Sequence, residues 1–182
     1  QTVFLTILQI RNSQMMKYIL TLVLLASSVS AEVVVYQLLY DPLGSESGGE
    51  AIELKNTGKD AVDISGWVLA TDASEKDATI PQNTVLLPGR TYLVADENWN
   101  DKKDNPAWRN PEHQETITLG NTNGWVKLLA GEEVKDAVSW GNSTIGMHSP
   151  SAESGKAIRR VDDEFEEAQA DFFEGIPVAL TA

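Results

Sequence analysis

The stretch Gly48-Gly-Glu-Ala-Ile-Glu-Leu-Lys-Asn-Thr-Gly-Lys-Asp-Ala-Val-Asp-Ile-Ser-Gly-Trp-Val-Leu-Ala-Thr-Asp72 decides how this chain is read. Ile52 and Leu54 alternate with Glu53 and Lys55, which predicts a strand with one apolar and one charged face. Asn56–Asp60 breaks the pattern with residues that tolerate turn dihedrals. Val62, Ile64 and then Trp67, Val68 and Leu69 resume it, interrupted at Ser65-Gly66. A glycine inside a strand pattern marks a bulge, or a bend where the chain crosses between sheets. Trp67 follows at once and is the expected centre of the core, since a buried indole removes more area from water than any other side chain.

Outward from this stretch the same signals recur. Val33–Tyr40 is rich in β-branched and aromatic residues and stops at Asp41-Pro42. A polar loop, Asp41–Gly49, follows it. Ala78–Ile80 is a brief strand ended by Pro81. Thr84–Leu87 leads into Pro88-Gly89, a type II turn signal, and Thr91–Ala95 is the next strand. Asp96–Glu115 then loses all periodicity. It is polar, holds Trp99, Trp108, Pro106 and Pro111, and reads as a long loop with room for one helical turn; loops of that length are disproportionately functional. Strands resume at Thr116–Leu119 and in a hairpin formed by Trp125–Leu129 and Glu133–Trp140. Gly141–Gly155 reads as a loop and Lys156–Val161 as a last strand. The acidic Asp162–Gln169 is expected to form a helical turn, and Asp171–Pro177 an extended tail. Eight or nine short strands with turn signals every 8–12 residues and no long helical pattern predict an all-β sandwich.

The N-terminal residues do not fit that pattern. Met16-Lys17, an apolar run to Ala26 and small residues with Val29 and Ala31 at the −3 and −1 positions form a secretory signal peptide. The apolar run is shorter than the ~20 residues of a membrane span, although an uncleaved N-terminal anchor is the alternative. Residues 1–14 precede the first methionine, so the expected start is Met15 or Met16. Residues 1–31 are accordingly set apart from a folded domain at 32–182, and the protein is expected outside the cell or in its envelope.

Charge and cysteine content narrow the function. The chain carries 14 Lys+Arg against 27 Asp+Glu, a net of −13. Without Arg11 and Lys17 the balance is 12 against 27, a net of −15. Such a surface repels phosphate backbones, so nucleic acid is a poor partner. The absence of cysteine excludes thiol catalysis, cysteine-ligated zinc and a lipid-modified cysteine, and leaves stability to the core; ~150 residues bury roughly 70% of their unfolded surface, which is enough.

Few residues offer chemistry. His113 and His148 fall in loops; His148 could be drawn into a Ser-His-Asp set, but there is no Gly-x-Ser-x-Gly nucleophile elbow. The acidic pairs Glu50/Glu53, Glu132/Glu133, Asp162/Asp163 and Glu166/Glu167 could in principle serve glycoside hydrolysis, but a chain this acidic makes such pairs by chance and they are expected to be solvated. Asp96–Asp104 places oxygen side chains at alternate positions, as calcium prefers, without the glycine or distal glutamate of a helix–loop–helix site. Trp99 and Trp108 would mark a glycan or protein contact if exposed; they are expected to be buried, as anchors for their loop.

Several pieces together resemble the lamin tail domain family: Val33–Pro42, Gly49–Asn56, Val62–Leu69, Leu87–Ala95, Gly120–Trp140 and Gly155–Val161, in that order and spacing. The chain departs from the family pattern at Ala51, where an aromatic is common, in the length of the 96–115 loop, and in its Ile-Pro-Val ending. The resemblance implies an immunoglobulin-like β-sandwich and no catalytic residues. No catalytic, cofactor-binding or metal-ligating residue is therefore assigned, and no cofactor. The expected function is that of a secreted, non-enzymatic module binding a protein or a cell-surface glycan, with no nucleic acid and no membrane beyond the signal peptide; its oligomeric state is left open. The alternatives are a small carboxylate- or calcium-dependent hydrolase built on the 96–115 loop, and a structural envelope component self-associating through an open sheet edge.

Overall fold

The computed structural model describes residues 33–172. The signal-peptide reading and the tail beyond Phe172 lie outside the described residues.

The strands are β1 (Val33–Leu39), β2 (Ala51–Asn56), β3 (Val62–Asp63), β4 (Val68–Thr71), β5 (Ala78–Thr79), β6 (Val85–Leu86), β7 (Thr91–Ala95), β8 (His113–Gln114), β9 (Gly124–Ala130), β10 (Glu133–Trp140), β11 (Met147–Ser149), β12 (Lys156–Val161) and β13 (Glu164–Gln169). They form a six-stranded sheet, β13-β12-β1-β2-β7-β8, a five-stranded sheet, β11-β10-β9-β4-β5, and a ribbon, β3-β6. The architecture is an immunoglobulin-like β-sandwich. Both large sheets contribute to one core: Val35, Leu38, Ile52, Leu54, Val94 and Ile158 from the first meet Leu69, Val126, Leu128, Val138 and Trp140 from the second.

The predicted crossing at Ser65-Gly66 is real. β2 belongs to the six-stranded sheet, β3 to the ribbon and β4 to the five-stranded sheet, and Gly66 makes the bend at φ 72°. Gly89 likewise has φ 72°, as the third residue of a type II turn requires; the Arg90 amide closes that turn on the Leu87 carbonyl at 3.1 Å. A bulge at Tyr36 shifts the β1–β2 register between Val35 and Gln37. It returns Leu38 and Tyr40 to the face already used by Val33 and Val35, so all four reach the shared core.

Several expectations are corrected. Trp67 only packs against the margin of the core; the fully buried indoles are Trp140 and Trp99. Trp140 stacks on Tyr40 with ring centroids 4.6 Å apart and donates to the Gly120 carbonyl. Within the loop Gly141–Gly155, Met147–Ser149 adds β11 parallel to β10. Residues 162–169 are no helical turn: Glu164–Gln169 is β13, laddered to β12 over its whole length, because a sheet edge tolerates charge that an interior strand does not. Residues 116–119 pair with no strand. Ile117 and Leu119 do point inward, but the three amides of 117–119 donate to the carboxylates of Asp96, Asp77 and Glu50.

The outward face of the six-stranded sheet has a second core. Leu39, Ala51, Leu93, Ala95 and Ala157 face away from the sandwich and are covered by Trp99, Trp108, Ala170 and Phe172. Trp99 stacks on Trp108 at 5.6 Å, and Phe172 meets both edge-on at 5.5 and 5.2 Å. The long loop is thus a cover, and Trp99 and Trp108 anchor it as expected. It contains a helical turn at Trp99–Lys102 and returns as β8, parallel to β7.

The cover is also held by charge. Arg109 bonds Glu53 on β2 at 3.0 Å and Glu112 at 2.5 and 2.6 Å, and Glu112 accepts from the Leu93 amide at 2.7 Å. Glu53 is 4% exposed, so of the charged face predicted for β2 Glu53 is buried beneath the loop, while Lys55 is half-buried. Burial pushes its carboxyl pKa up, and the Arg109 guanidinium pulls it back.

Candidate binding groove

Among the described residues nothing covers the five-stranded sheet in this way. Along β4 and β9, Leu69, Thr71, Val126 and Leu128 point inward, so Val68, Ala70, Trp125, Lys127 and Leu129 face outward. Val68, Leu129 and Val134 stand side by side on three adjacent strands, and Val134 is 50% exposed. Residues 72–76 rise along one side and enclose a groove of about 660 Å³ over Val68, Ala70, Trp125, Lys127 and Leu129.

The wall of this groove is fixed by its own hydrogen bonds. The Thr71 amide donates to the Ser74 carbonyl at 2.8 Å, and the amides of Ala73 and Ser74 donate to the Thr71 hydroxyl. Asp72, Glu75 and Lys76 are left exposed, and among the described residues none of them enters an ion pair. Trp125 is half-buried, and the Lys127 ammonium lies over one face of its ring, 4.6 Å from the centroid. An indole floor with hydroxyl, carboxylate and ammonium groups at the rim suits a ligand with both apolar faces and hydrogen-bonding edges.

The residues with catalytic potential lie elsewhere. Glu50 and Asp96 are brought together at one end of the sandwich, each 4% exposed. Burial, and then the nearby Asp96, Glu46 and Asp77, push the Glu50 carboxyl up to about 8. A raised carboxyl beside another carboxylate is what an acid–base pair requires, but both groups here accept backbone bonds. Glu50 takes the Leu119 amide, and Asp96 takes the amides of Gly48 at 2.5 Å, Glu97 at 2.8 Å and Ile117 at 3.3 Å. Glu50 and Glu53 are therefore not solvated as expected, whereas Glu132, Glu133, Asp162, Asp163, Glu166 and Glu167 are exposed.

The oxygen groups of the 96–104 segment do not converge. Asp96 is held as just described, Asp101 is exposed, and Asp104 accepts from the amides of Leu43 and Gly44 at 2.8 and 2.9 Å. Among the described residues no three His, Asp or Glu side chains gather as a metal site would need. His113 Nε2 meets Glu115 at 3.1 Å. His148 Nδ1 lies 3.5 Å from the hydroxyl of Ser139, a fully buried residue whose hydroxyl also donates to the Ser143 carbonyl.

The sequence marks Trp125 only as a strand residue. Its alternation with Val126 and Leu128 places it outward, but nothing in the sequence says which outward face stays open.

The match to a family model settles the relationship: residues 26–142 match the Lamin Tail Domain. The chain belongs to the lamin tail domain family. The matched span contains the wall and floor of the groove and the whole 96–115 loop. It ends before β11, so the Gly155–Val161 piece of the resemblance lies outside it, although β12 and β13 complete the same lamin tail sheet. No curated protein matches the chain.

Proposed function

We propose that this lamin tail domain is a secreted, non-catalytic binding module whose ligand face is the groove over Trp125, and that the ligand is a glycan. The half-buried indole on an open sheet face, rimmed by Asp72, Ser74, Glu75, Lys76 and Lys127, carries the reading. Stacking on the ring supplies the apolar part of the contact, and the rim supplies hydrogen bonds to hydroxyls. A signal-peptide pattern in residues 16–31 supports export.

A polypeptide ligand is the second reading. It is favoured by the row Val68, Leu129 and Val134, which carries the apolar surface past the groove. Two alternatives have less support. The hydrolase would use the 96–115 loop, whose tryptophans are packed inward and whose Asp96 and Asp104 are engaged by backbone amides. Assembly through a sheet edge would meet Glu164, Glu166 and Glu167 on β13, which guard that edge.

The test is a panel of neutral and uronic-acid oligosaccharides titrated into the protein and into Trp125→Ala. One class should bind, with the variant at least about tenfold weaker, the loss of roughly 1.4 kcal/mol expected for a stacked ring. Equal binding by the two proteins would remove the glycan reading from this groove. Binding of extended peptides instead, weakened by Val134→Lys, would establish the second.

A further inference from the structure

The outward face of the six-stranded sheet is only partly covered. Beyond the margin of the loop cover it opens into a cavity of about 250 Å³ lined by Tyr36, Lys55, Arg90, Thr91, Arg159 and Asp171, with Glu53 at its base. The fold brings these groups together from four places. Lys55 and Thr91 are register partners on β2 and β7. Arg159 on β12 stands opposite Gln37 on β1, the bulge presents Tyr36, and the Pro88-Gly89 turn delivers Arg90.

The charge here runs against that of the molecule. In a chain with 14 basic residues and a net of −13, three of the cations surround one small cavity. Glu53 at the base pairs with Arg109 at 3.0 Å rather than with any of these three, and Arg109 is shared with Glu112. Asp171 at the rim contributes one negative charge. Among the described residues Lys55, Arg90 and Arg159 form no ion pair. Lys55 lies over the Tyr36 ring at 4.5 Å. Among the described residues the Arg159 guanidinium is held by neutral oxygens, Gln37 Oε1 at 2.7 and 3.0 Å and the Gln169 carbonyl at 2.9 Å. All three cations are half-buried. Like charges drawn together and partly dehydrated repel, and an anion among them relieves that cost through charge-assisted hydrogen bonds.

We propose that this cavity binds a compact oxyanion: a carboxylate, sulfate or phosphate group no larger than one sugar residue carries. Arg90 and Lys55 supply the charge. Arg159, fixed by Gln37, and the Tyr36 hydroxyl set the orientation. Guanidinium groups suit this role because their paired donors match the spacing of oxyanion oxygens. The site is separate from the groove over Trp125, on the other sheet, and stands or falls independently of it.

The test is titration of the full chain with inorganic phosphate, inorganic sulfate and galacturonate at low ionic strength, following heat of binding and the thermal midpoint. At least one should bind with a millimolar or tighter dissociation constant, raise the midpoint by a few degrees, and weaken as sodium chloride is added. Arg90→Gln should weaken binding about tenfold, Lys55→Gln with Arg90→Gln should abolish it, and Lys135→Gln, on β10 of the other sheet and outside the groove over Trp125, should leave it unchanged. The preferred probe then separates a free inorganic anion from the carboxylate of an acidic sugar. Absence of binding heat with all three probes would overturn the proposal, as would a midpoint rise of equal size in wild type and the double variant. If the double variant does not fold, undiminished binding by Arg90→Gln alone is the contrary result.

Discussion

The two outward faces of this sandwich carry the same kind of residue and use it in opposite ways. On the six-stranded sheet, Trp99 and Trp108 arrive on a loop, stack on each other and seal Leu39, Leu93 and Ala157 beneath them. On the five-stranded sheet, Trp125 stands on the strand itself, and among the described residues only Lys127 lies over its ring. A tryptophan in a long loop gains most by closing onto the domain, because the loop has no other means of burial. A tryptophan at an outward strand position has no such freedom, and its ring stays available. Here the loop aromatics hold the structure together, and the sheet-face Trp125 stays open, as the proposed ligand face requires.

Four substitutions sharpen or break that contrast. The largest effect is expected at Trp99→Ala, which empties the centre of the outer core and should cost about 3–5 kcal/mol in urea unfolding. Arg109→Met comes next. It leaves Glu53 charged, buried and unpaired and should cost about 3 kcal/mol at pH 8. The loss should shrink at pH 5, because without the guanidinium burial alone acts on Glu53 and its carboxyl protonates more readily.

Glu50→Gln works in the other direction. Glu50 titrates near 8 when folded and near 4.5 when unfolded, so between those values the folded state binds the extra proton. Its contribution to stability is therefore flat below about pH 4.5, falls as pH rises towards 8, and stays lost above. Stability curves against pH should show the variant gaining about 1–2 kcal/mol over wild type at pH 8.5 and almost nothing at pH 5. Trp125→Ala should have the smallest effect on folding, within about 1 kcal/mol, since the ring closes no core. A cost near that of Trp99→Ala would erase the distinction between the two faces.

Much of the sandwich was legible because its signals are local. The alternation of β2, the crossing at Ser65-Gly66, the Pro88-Gly89 turn and the β9–β10 hairpin each reside in a few adjacent residues. What was missed depends on distant partners. Glu53 reads as a solvent-facing charge until Arg109, far along the chain, is laid over it. Residues 116–119 alternate as a strand should, but their amides are taken by three carboxylates. Glu-Phe-Glu-Glu-Ala-Gln at 164–169 has helical composition, and only the ladder with β12 makes it a strand. The groove is the extreme case. Its defining property is the absence of a cover on one of two similar faces, and no residue within the groove encodes that.

The most direct measurement follows the tryptophan side chains by NMR while the oligosaccharide panel is titrated into the protein. The indole resonance of Trp125 should move with the amides of 68–76 and 125–131, while those of Trp99, Trp108 and Trp140 stay in place. Movement confined to the loop cover, or no movement with any member of the panel, would contradict the assignment of the open face as the ligand face.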